Sequence, residues 1–440
     1  MKKYIPILIA LILTSCQEIS DHQPLLVDTK EKQPVYIVNQ NRHLNIPEFW
    51  IDKISNPDRL IMNPKSIKEF NDEVAYTQRK LTYFKDMNLH YGSSWVKKSI
   101  ENMLSGMENS TKFFADGNEV PESFYTKIAR EMDVDSIDGK RVKTRYALTV
   151  NYTNQKIIPT DLSLLKKKKQ IYFDRNQNSA LDIATPIAIL HSTDDGEWHY
   201  GISSTSSGWV RDSDIAFGEK KEIENYLNSK NFIVTTEAKS ALIIAGRYHD
   251  YMRMGVRLPY VMTVDDNTMV LIPSRDKEGN LVLGNATIKT SNTHRGYLPY
   301  TPRVILTQAF KFLHAPYGWG GMYGEQDCSK FLQEIYATVG VKIPRNSSSQ
   351  SLVGSQHRKL NKLGVNSKEG IVRGSDVGAT ILHLKGHIVL YLGEYKGKPY
   401  IIHTVWGDSK RHFALGRTAV TALGFNNYIK SIDRVTMIKK

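Results

Sequence analysis

Cysteine is nearly absent, with two in 440 residues. That excludes a disulfide framework and any zinc knuckle built on cysteine, so each of the two needs its own explanation. Long apolar runs are missing as well. The one pronounced run, Tyr4 to Leu13, is too short to cross a bilayer as a stable anchor, and no other segment approaches membrane-spanning length. Acidic residues are outnumbered, 45 against 59 Lys and Arg, for a formal net charge of +14. This balance suits an anionic setting such as nucleic acid, an acidic envelope polymer or a membrane face, or simply a basic soluble surface. No basic, aromatic-studded motif supports nucleic acid, so that partner is not expected. What is present is the make-up of a folded protein: 40% hydrophobic, 10% aromatic and 24% charged. A chain of this length is expected to form two to four domains rather than one core.

The first cysteine reads as an address. In MKKYIPILIALILTSCQEIS, Lys2 and Lys3 precede the apolar run, and Leu13, Thr14 and Ser15 lead into Cys16. The alternative is a buried hydrophobic first strand. The arrangement resembles the lipobox of bacterial lipoproteins, which implies a signal peptide over 1–16 and lipidation of Cys16. A polar tether over 17–40 would follow. Gln17 after the cysteine implies an outer-membrane anchor facing the periplasm.

Helical spacing dominates 41–140. The segments SIKEFNDEVAYTQRKL and SWVKKSIENMLSG carry apolar residues three and four apart, with Ser66 and Ser94 as expected N-caps. Short β-type runs separated by turn residues fill 141–218, with a turn at Asp194–Gly196, and again 228–296, with turns at Asp265–Asn267 and Asp276–Asn280. Two such sets suggest two small β-barrels. Mixed helical and strand periods over 300–440 indicate an α+β domain.

The second cysteine lies in DCSKFLQEIYATVG. Leu332, Ile335, Tyr336 and Val339 follow helical spacing, Asp327 is an N-cap, and Cys328 falls at the first helical position. Unsatisfied N–H groups and the helix dipole there favour a thiolate, so Cys328 is expected to be thiolate-rich at neutral pH. Position alone fits a small buried apolar residue equally well. A nucleophile needs a base, and GHIVLYLGEYKGKPYIIHTVWG reads as a hairpin carrying His387 and His403. A hairpin centred on Tyr395 sets the two directly opposite, and a centre one residue later makes them diagonal. In either register they share a face within imidazole reach. His387 could then take the thiol proton while His403 holds its ring.

Other patterns fail. HLKGH, with His383 and His387, has zinc-helix spacing, but Gly386 and the β-branched run after it argue against a helix. GWGGMY lacks the last glycine of a dinucleotide fingerprint. The calcium-like start at Asp174 has Ser179 where glycine is obligatory and Thr185 in place of the closing glutamate. No metal and no cofactor is expected.

PYGWGGMYGEQDCSKF, PRNSSSQ, GHIVLYLG and IIHTVWG occur in order and at spacings that resemble the NlpC-type cysteine peptidases, papain-like bacterial enzymes that cut peptidoglycan stem peptides. YTNQKIIPTD, YFDRNQNSALD and GWVRDSDIAF resemble the first SH3-like domain of one branch, and YMRMGVRLPY its second. The resemblance implies an α+β multidomain protein. A helical N-terminal stabilising domain (41–140) and two SH3-like barrels (141–218, 228–296) would precede a papain-like catalytic domain (300–440). It further implies Cys328 as nucleophile, His387 as general base and His403 as the group orienting it. Tyr317 would lie near the oxyanion, and Asp327 with Ser329 would hold the free amine of an N-terminal L-Ala. The first barrel would form one wall of the cleft, with Asp174 contributing. Lys330 departs from the small residue usual at its position, and the segment between Tyr317 and Cys328 is one residue shorter than in some relatives.

The function implied is a lipid-anchored endopeptidase cutting the γ-D-glutamyl to diamino-acid bond, with peptidoglycan stem peptides and the membrane as partners. The alternatives are an N-acetylmuramoyl-L-alanine amidase or an acyl transferase on the same fold, or a non-catalytic wall-binding lipoprotein.

Overall fold

The computed structural model describes residues 42–408 and 413–440. Cys16 and the segments 1–16 and 17–40 lie outside the described residues.

Helical segments over 42–137 do not build a core of their own. Their helices, such as Pro64–Asp72, Ser93–Glu108 and Glu122–Glu131, are short and apolar on one side only. Each must therefore bury that side against a neighbour. Leu44, Trp50, Phe70 and Val74 join the cluster of the C-terminal domain around Phe331 and Ile335. Val96, Ile100, Tyr125 and Ile128 pack instead on Trp198, Tyr200 and Trp209 of the first sheet. The region expected as one helical domain thus divides into two braces. Its caps also differ from expectation. Asn63, with Pro64 after it, caps the first helix and accepts from the Ser66 N–H at 2.9 Å, while the helix beginning at Ser93 has Gly92 at its N-cap and no side-chain cap. Proline preorganises the first turn, which moves the start of the earlier helix upstream of Ser66.

Two antiparallel seven-stranded sheets follow. The first runs Gln177–Leu181, Thr153–Lys156, Ser207–Arg211, Trp198–Ile202, Pro186–Ser192, Arg145–Thr149 and Ile215–Gly218 in spatial order. The second is built on the long hairpin Asn267–Arg275 with Leu281–Lys289, whose register runs unbroken over nine pairs. The expected turns lie between these strands: Val264 pairs with Asn267 and Arg275 with Leu281. Tyr146, Leu148, Ile233, Leu258 and Ile272 belong to one apolar cluster that joins the two sheets.

The C-terminal domain has a six-stranded antiparallel sheet with the helix Cys328–Ala337 against it and the helix Pro302–Phe310 packed on that helix. Phe331, Leu332 and Ile335 are fully buried with Ile388, Leu390 and Ile402 of the sheet. That packing fixes the helix start over the strand that begins at His387.

The glycine-rich stretch before the cysteine is a contact between domains. Gly320 and Gly321 have φ of 61° and 91°, and a Cβ on Gly321 would lie 2.6 Å from the Ala180 Cβ of the first sheet. Only glycine allows both the backbone conformation and this approach. Tyr152 adds a hydrogen bond from its hydroxyl to the Gly321 carbonyl at 2.7 Å.

A cysteine helix and a histidine hairpin form the candidate active site

Cys328 opens the helix Cys328–Ala337, and Asp327 caps it, accepting from the N–H groups of Ser329 and Lys330. The N–H of Cys328 itself stays outside that cap. The Sγ is buried beside the Ile388 N–H, which donates to it from the second residue of the strand His387–Tyr395. Helix start and strand start therefore meet at one point, with His387 adjacent.

His387 and His403 sit on paired strands. A register shift between Tyr391 and Gly393 changes the pairing, so that Leu390 faces Ile402 and the two histidines stand diagonally rather than directly opposite. Their rings are 5.1 Å apart at the centroids, and His387 Nε2 lies 2.8 Å from His403 Nδ1. His403 Nε2 in turn lies 3.1 Å from the Thr421 hydroxyl on the next strand. One set of tautomers satisfies this chain and leaves a basic nitrogen on His387. His387 carries its proton on Nε2 and donates to His403, and His403 carries its proton on Nε2 and donates to Thr421. The lone pair then rests on His387 Nδ1. Sequence reasoning did not single out Thr421, whose sheet neighbours are set only by the pairing of the last strands.

Electrostatics correct one expectation. Burial pushes the Cys328 thiol up to about 12, with the Asp327 carboxylate adding to it, while the Ile388 N–H, Arg345 and the Ser329 N–H oppose. Removal from water outweighs the helix terminus, so the resting cysteine is a neutral thiol rather than a thiolate. Burial likewise lowers His387 to about 4, helped by nearby His383, and holds His403 well below its usual range. The pair rests as thiol and neutral imidazole.

Asp327 and Ser329 are taken up by a neighbour that the sequence reading quoted but did not single out. Arg345, in PRNSSSQ, donates from one guanidinium nitrogen to Asp327 Oδ2 at 2.6 Å and from another to Oδ1 at 3.1 Å and to Ser329 Oγ at 2.9 Å. Its Nε reaches Ser179 Oγ of the first sheet at 2.9 Å. The Gly320 N–H also donates to Asp327, at 3.2 Å. With the two capping N–H groups and the Ser329 hydroxyl, the carboxylate is satisfied within the protein. Arg345 holds it below the usual carboxylate range against the cost of burial. A basic residue inside a matched motif was the available signal, but its partner is 18 residues away.

Tyr317 stands beside the thiol. Burial, then the Cys328 and Asp327 charges, hold its phenol protonated. Its ring faces Phe173 at 6.1 Å and Trp406 at 5.9 Å, and Phe173 also packs on Trp319 at 5.4 Å. Phe173 and Tyr172, which packs on Trp406 at 4.7 Å, thus border the site from the loop before the strand Gln177–Leu181 of the first sheet. Asp174 does not. It is fully buried, accepting from Lys156 at 3.0 Å and from the Leu164 and Asn176 N–H groups, so its side chain fastens its own loop.

Lys330 has a specific partner. Its Nζ reaches Asp182 of the first sheet at 2.9 Å, with Glu334 at 3.7 Å. Arg253 of the second sheet donates to both Glu334 oxygens, at 3.2 and 2.9 Å, and to Gln326 at 2.6 Å. The back of the cysteine helix is therefore keyed to both sheets by buried charges.

Residues 314–411 match the NlpC/P60 family, and residues 163–211 match the SH3 domain of the SH3b1 type. A curated relative, a gamma-D-glutamyl-L-lysine dipeptidyl-peptidase of Bacillus cereus, is 26% identical over 192 residues, 42% of this chain and 54% of that protein. The chain thus spans about half the length of the curated relative it matches. Among solved structures, an NlpC/P60 endopeptidase from Photobacterium damselae subsp. piscicida aligns with a TM-score of 0.71 at 19% identity, over 88% of this chain and 96% of that one, a likeness of fold. An NlpC/P60 family protein from Bacillus cereus gives a TM-score of 0.45 at 17% identity, over 60% and 83%. Cys328, His387 and His403 all fall inside the matched segment, and the C-terminal part of this chain is an NlpC/P60 domain preceded by an SH3 domain of the SH3b1 type.

Proposed function

We propose that the chain is a peptidoglycan cysteine endopeptidase that cuts the bond between γ-D-glutamate and the diamino acid of stem peptides. The observation that carries this reading is the ordered series Cys328, His387, His403 and Thr421 across the cysteine helix and three adjacent strands. Support for the bond comes from the activity in the name of the Bacillus cereus relative.

In this mechanism Sγ attacks the scissile carbonyl as its proton passes to His387 Nδ1, so that charge appears only along the reaction path. The uncapped N–H of Cys328 and the Tyr317 hydroxyl are the donors proposed for the developing oxyanion. Collapse transfers the His387 proton to the leaving amine and leaves a thioester. Water, with His387 again as base, releases the acid and the thiol. Asp327 and Ser329 shape the neighbouring subsite together with Arg345. Lipidation at Cys16 and an outer-membrane location facing the periplasm are part of the same proposal, supported by the signal-like N-terminus alone.

The test is mass-spectrometric digestion of L-Ala-γ-D-Glu-meso-diaminopimelate by the wild type and by Cys328→Ala. Release of L-Ala-D-Glu that depends on Cys328 is expected. Cleavage at another bond would point to the amidase or transferase alternative, and no cleavage of free or sugar-linked stems would favour a wall-binding role.

A further inference from the structure

A second groove lies between the helical brace and the first sheet, with a volume of about 420 Å³. Trp95 forms one side and is half exposed, an unusual state for the largest side chain. One of its faces is covered by Tyr91, stacked at 5.5 Å and 25°, which holds the indole in place. Ser203–Ser207, five hydroxyl-bearing residues in succession, also line the groove. Hydrogen bonds among Ser203 and Ser206 shape the loop, and the Thr82 N–H fastens it to the brace at the Ser204 carbonyl. The Ser204 and Thr205 hydroxyls have no partner among the described residues. Arg79 and Lys80 complete the rim, and neither has an ion-pair partner among the described residues. Arg79 holds a left-handed backbone, with φ of 52°, where a non-glycine residue is strained.

This groove is joined to the active site through two adjacent residues. Asn178 donates to the Ser207 carbonyl at 2.7 Å, and its neighbour Ser179 accepts from Arg345, which holds Asp327 beside Cys328. A rigid aromatic face, free hydroxyls and unpaired cationic donors together match a pyranose chain. The apolar ring face packs on indole, while ring hydroxyls and acetamido carbonyls take the polar contacts.

We infer that the groove binds the β-1,4-linked N-acetylhexosamine chain of the wall, so that the enzyme takes stem peptides still attached to sugar. The inference rests on the endopeptidase reading only for the stem peptide. It agrees with the active site, where Asp327 is neutralised by Arg345 rather than left open to a free amine.

Titration of the full chain with the N-acetylglucosamine tetrasaccharide, followed by tryptophan fluorescence and calorimetry, tests the groove without any cleavage. Saturable binding is expected. It should weaken roughly tenfold in Trp95→Ala and largely recover in Trp95→Phe. Cys328→Ala should bind as the wild type does. In cleavage assays Trp95→Ala should raise KM for the muramoyl-linked stem with kcat unchanged, and leave the free stem peptide unaffected. No saturable binding to the wild type, or equal binding to Trp95→Ala, would overturn the inference even if the enzyme cleaves. Sugar binding without cleavage of any substrate would leave the groove standing and remove the endopeptidase.

Discussion

Arg345 lies 2.6 Å from Asp327 at one nitrogen and 3.1 Å at another, closing a two-point ion pair directly beside Cys328. The same guanidinium reaches Ser179. It therefore holds the helix cap, the thiol's environment and one edge of the first sheet in a single fixed plane.

Replacing Arg345 by Met should be severe, because it leaves a buried carboxylate without its counter-charge, a loss of about 3–5 kcal/mol. Arg345→Lys should not rescue it, since an ammonium cannot serve two carboxylate oxygens and Ser179 together. Denaturant midpoints of both variants, read beside cleavage rates, check this. A stable, active Arg345→Lys would show that charge alone suffices.

The pH profile follows from the neutral resting pair. His387 is depressed to about 4, so its basic form persists well below neutrality and is lost only as pH falls towards that value. Burial holds the thiol near 12, so no alkaline limb from Cys328 belongs below about pH 10. The expected kcat/KM is flat from about pH 8 to 5, with an acid limb nearer 4 than the ordinary histidine value of about 6.5. An acid limb at 6 to 7 would mean that the histidine is solvated in the working enzyme.

Stability should fall over the same acid range. The folded values of His387 and His403 lie below the unfolded value, so the unfolded chain binds more protons. Stability is then full above about pH 6.5 and declines as pH drops towards 4. Thermal melts between pH 7 and 4.5 read it. His387→Gln should flatten part of the slope.

Thr421 is expected to act through tautomer control. Thr421→Val removes the acceptor for His403 Nε2 and so loosens the chain that leaves His387 Nδ1 unprotonated. A loss of roughly tenfold in kcat with KM unchanged is expected, and Thr421→Ser should restore it. His403→Ala should cost roughly a hundredfold. An unchanged kcat in Thr421→Val would remove the hydroxyl from the mechanism.

Lys330 and Asp182 offer a test of how the first sheet is held. Removing either partner alone leaves a buried charge and should destabilise by about 3–5 kcal/mol, whereas Lys330→Met with Asp182→Asn should cost less than the two singles summed. A double-mutant cycle by chemical denaturation measures the coupling, and additive losses would show that the pair is not coupled.

Local pattern carried the cysteine helix and the histidine hairpin far. Apolar spacing from Leu332 to Val339, the Asp327 cap and the alternation through His387 and His403 are short-range signals, fixed by helix and strand periods that the chain writes into itself. The diagonal histidine register was one of two legible options. A bulge at Tyr391–Gly393 sets it, because the pairing of Tyr395 with Lys398 continued unbroken would put the two histidines on opposite faces, and one extra residue returns them to the same one. Arg345 with Asp327, Thr421 with His403, and Lys330 with Asp182 were not legible: the first two depend on a loop conformation and a strand register inside the C-terminal domain, and the third exists only after the first sheet docks. The same holds for the protonation of Cys328. Its position at a helix start is local and argues for a thiolate, but its burial in the apolar cluster of the C-terminal domain is tertiary, and desolvation of a charge outweighs a helix terminus. Local pattern wrote the cysteine, its cap and the histidine pair into the chain, and the packing of both sheets against the cysteine helix decided how each is charged and held, because desolvation and buried ion pairs arise only when distant segments meet.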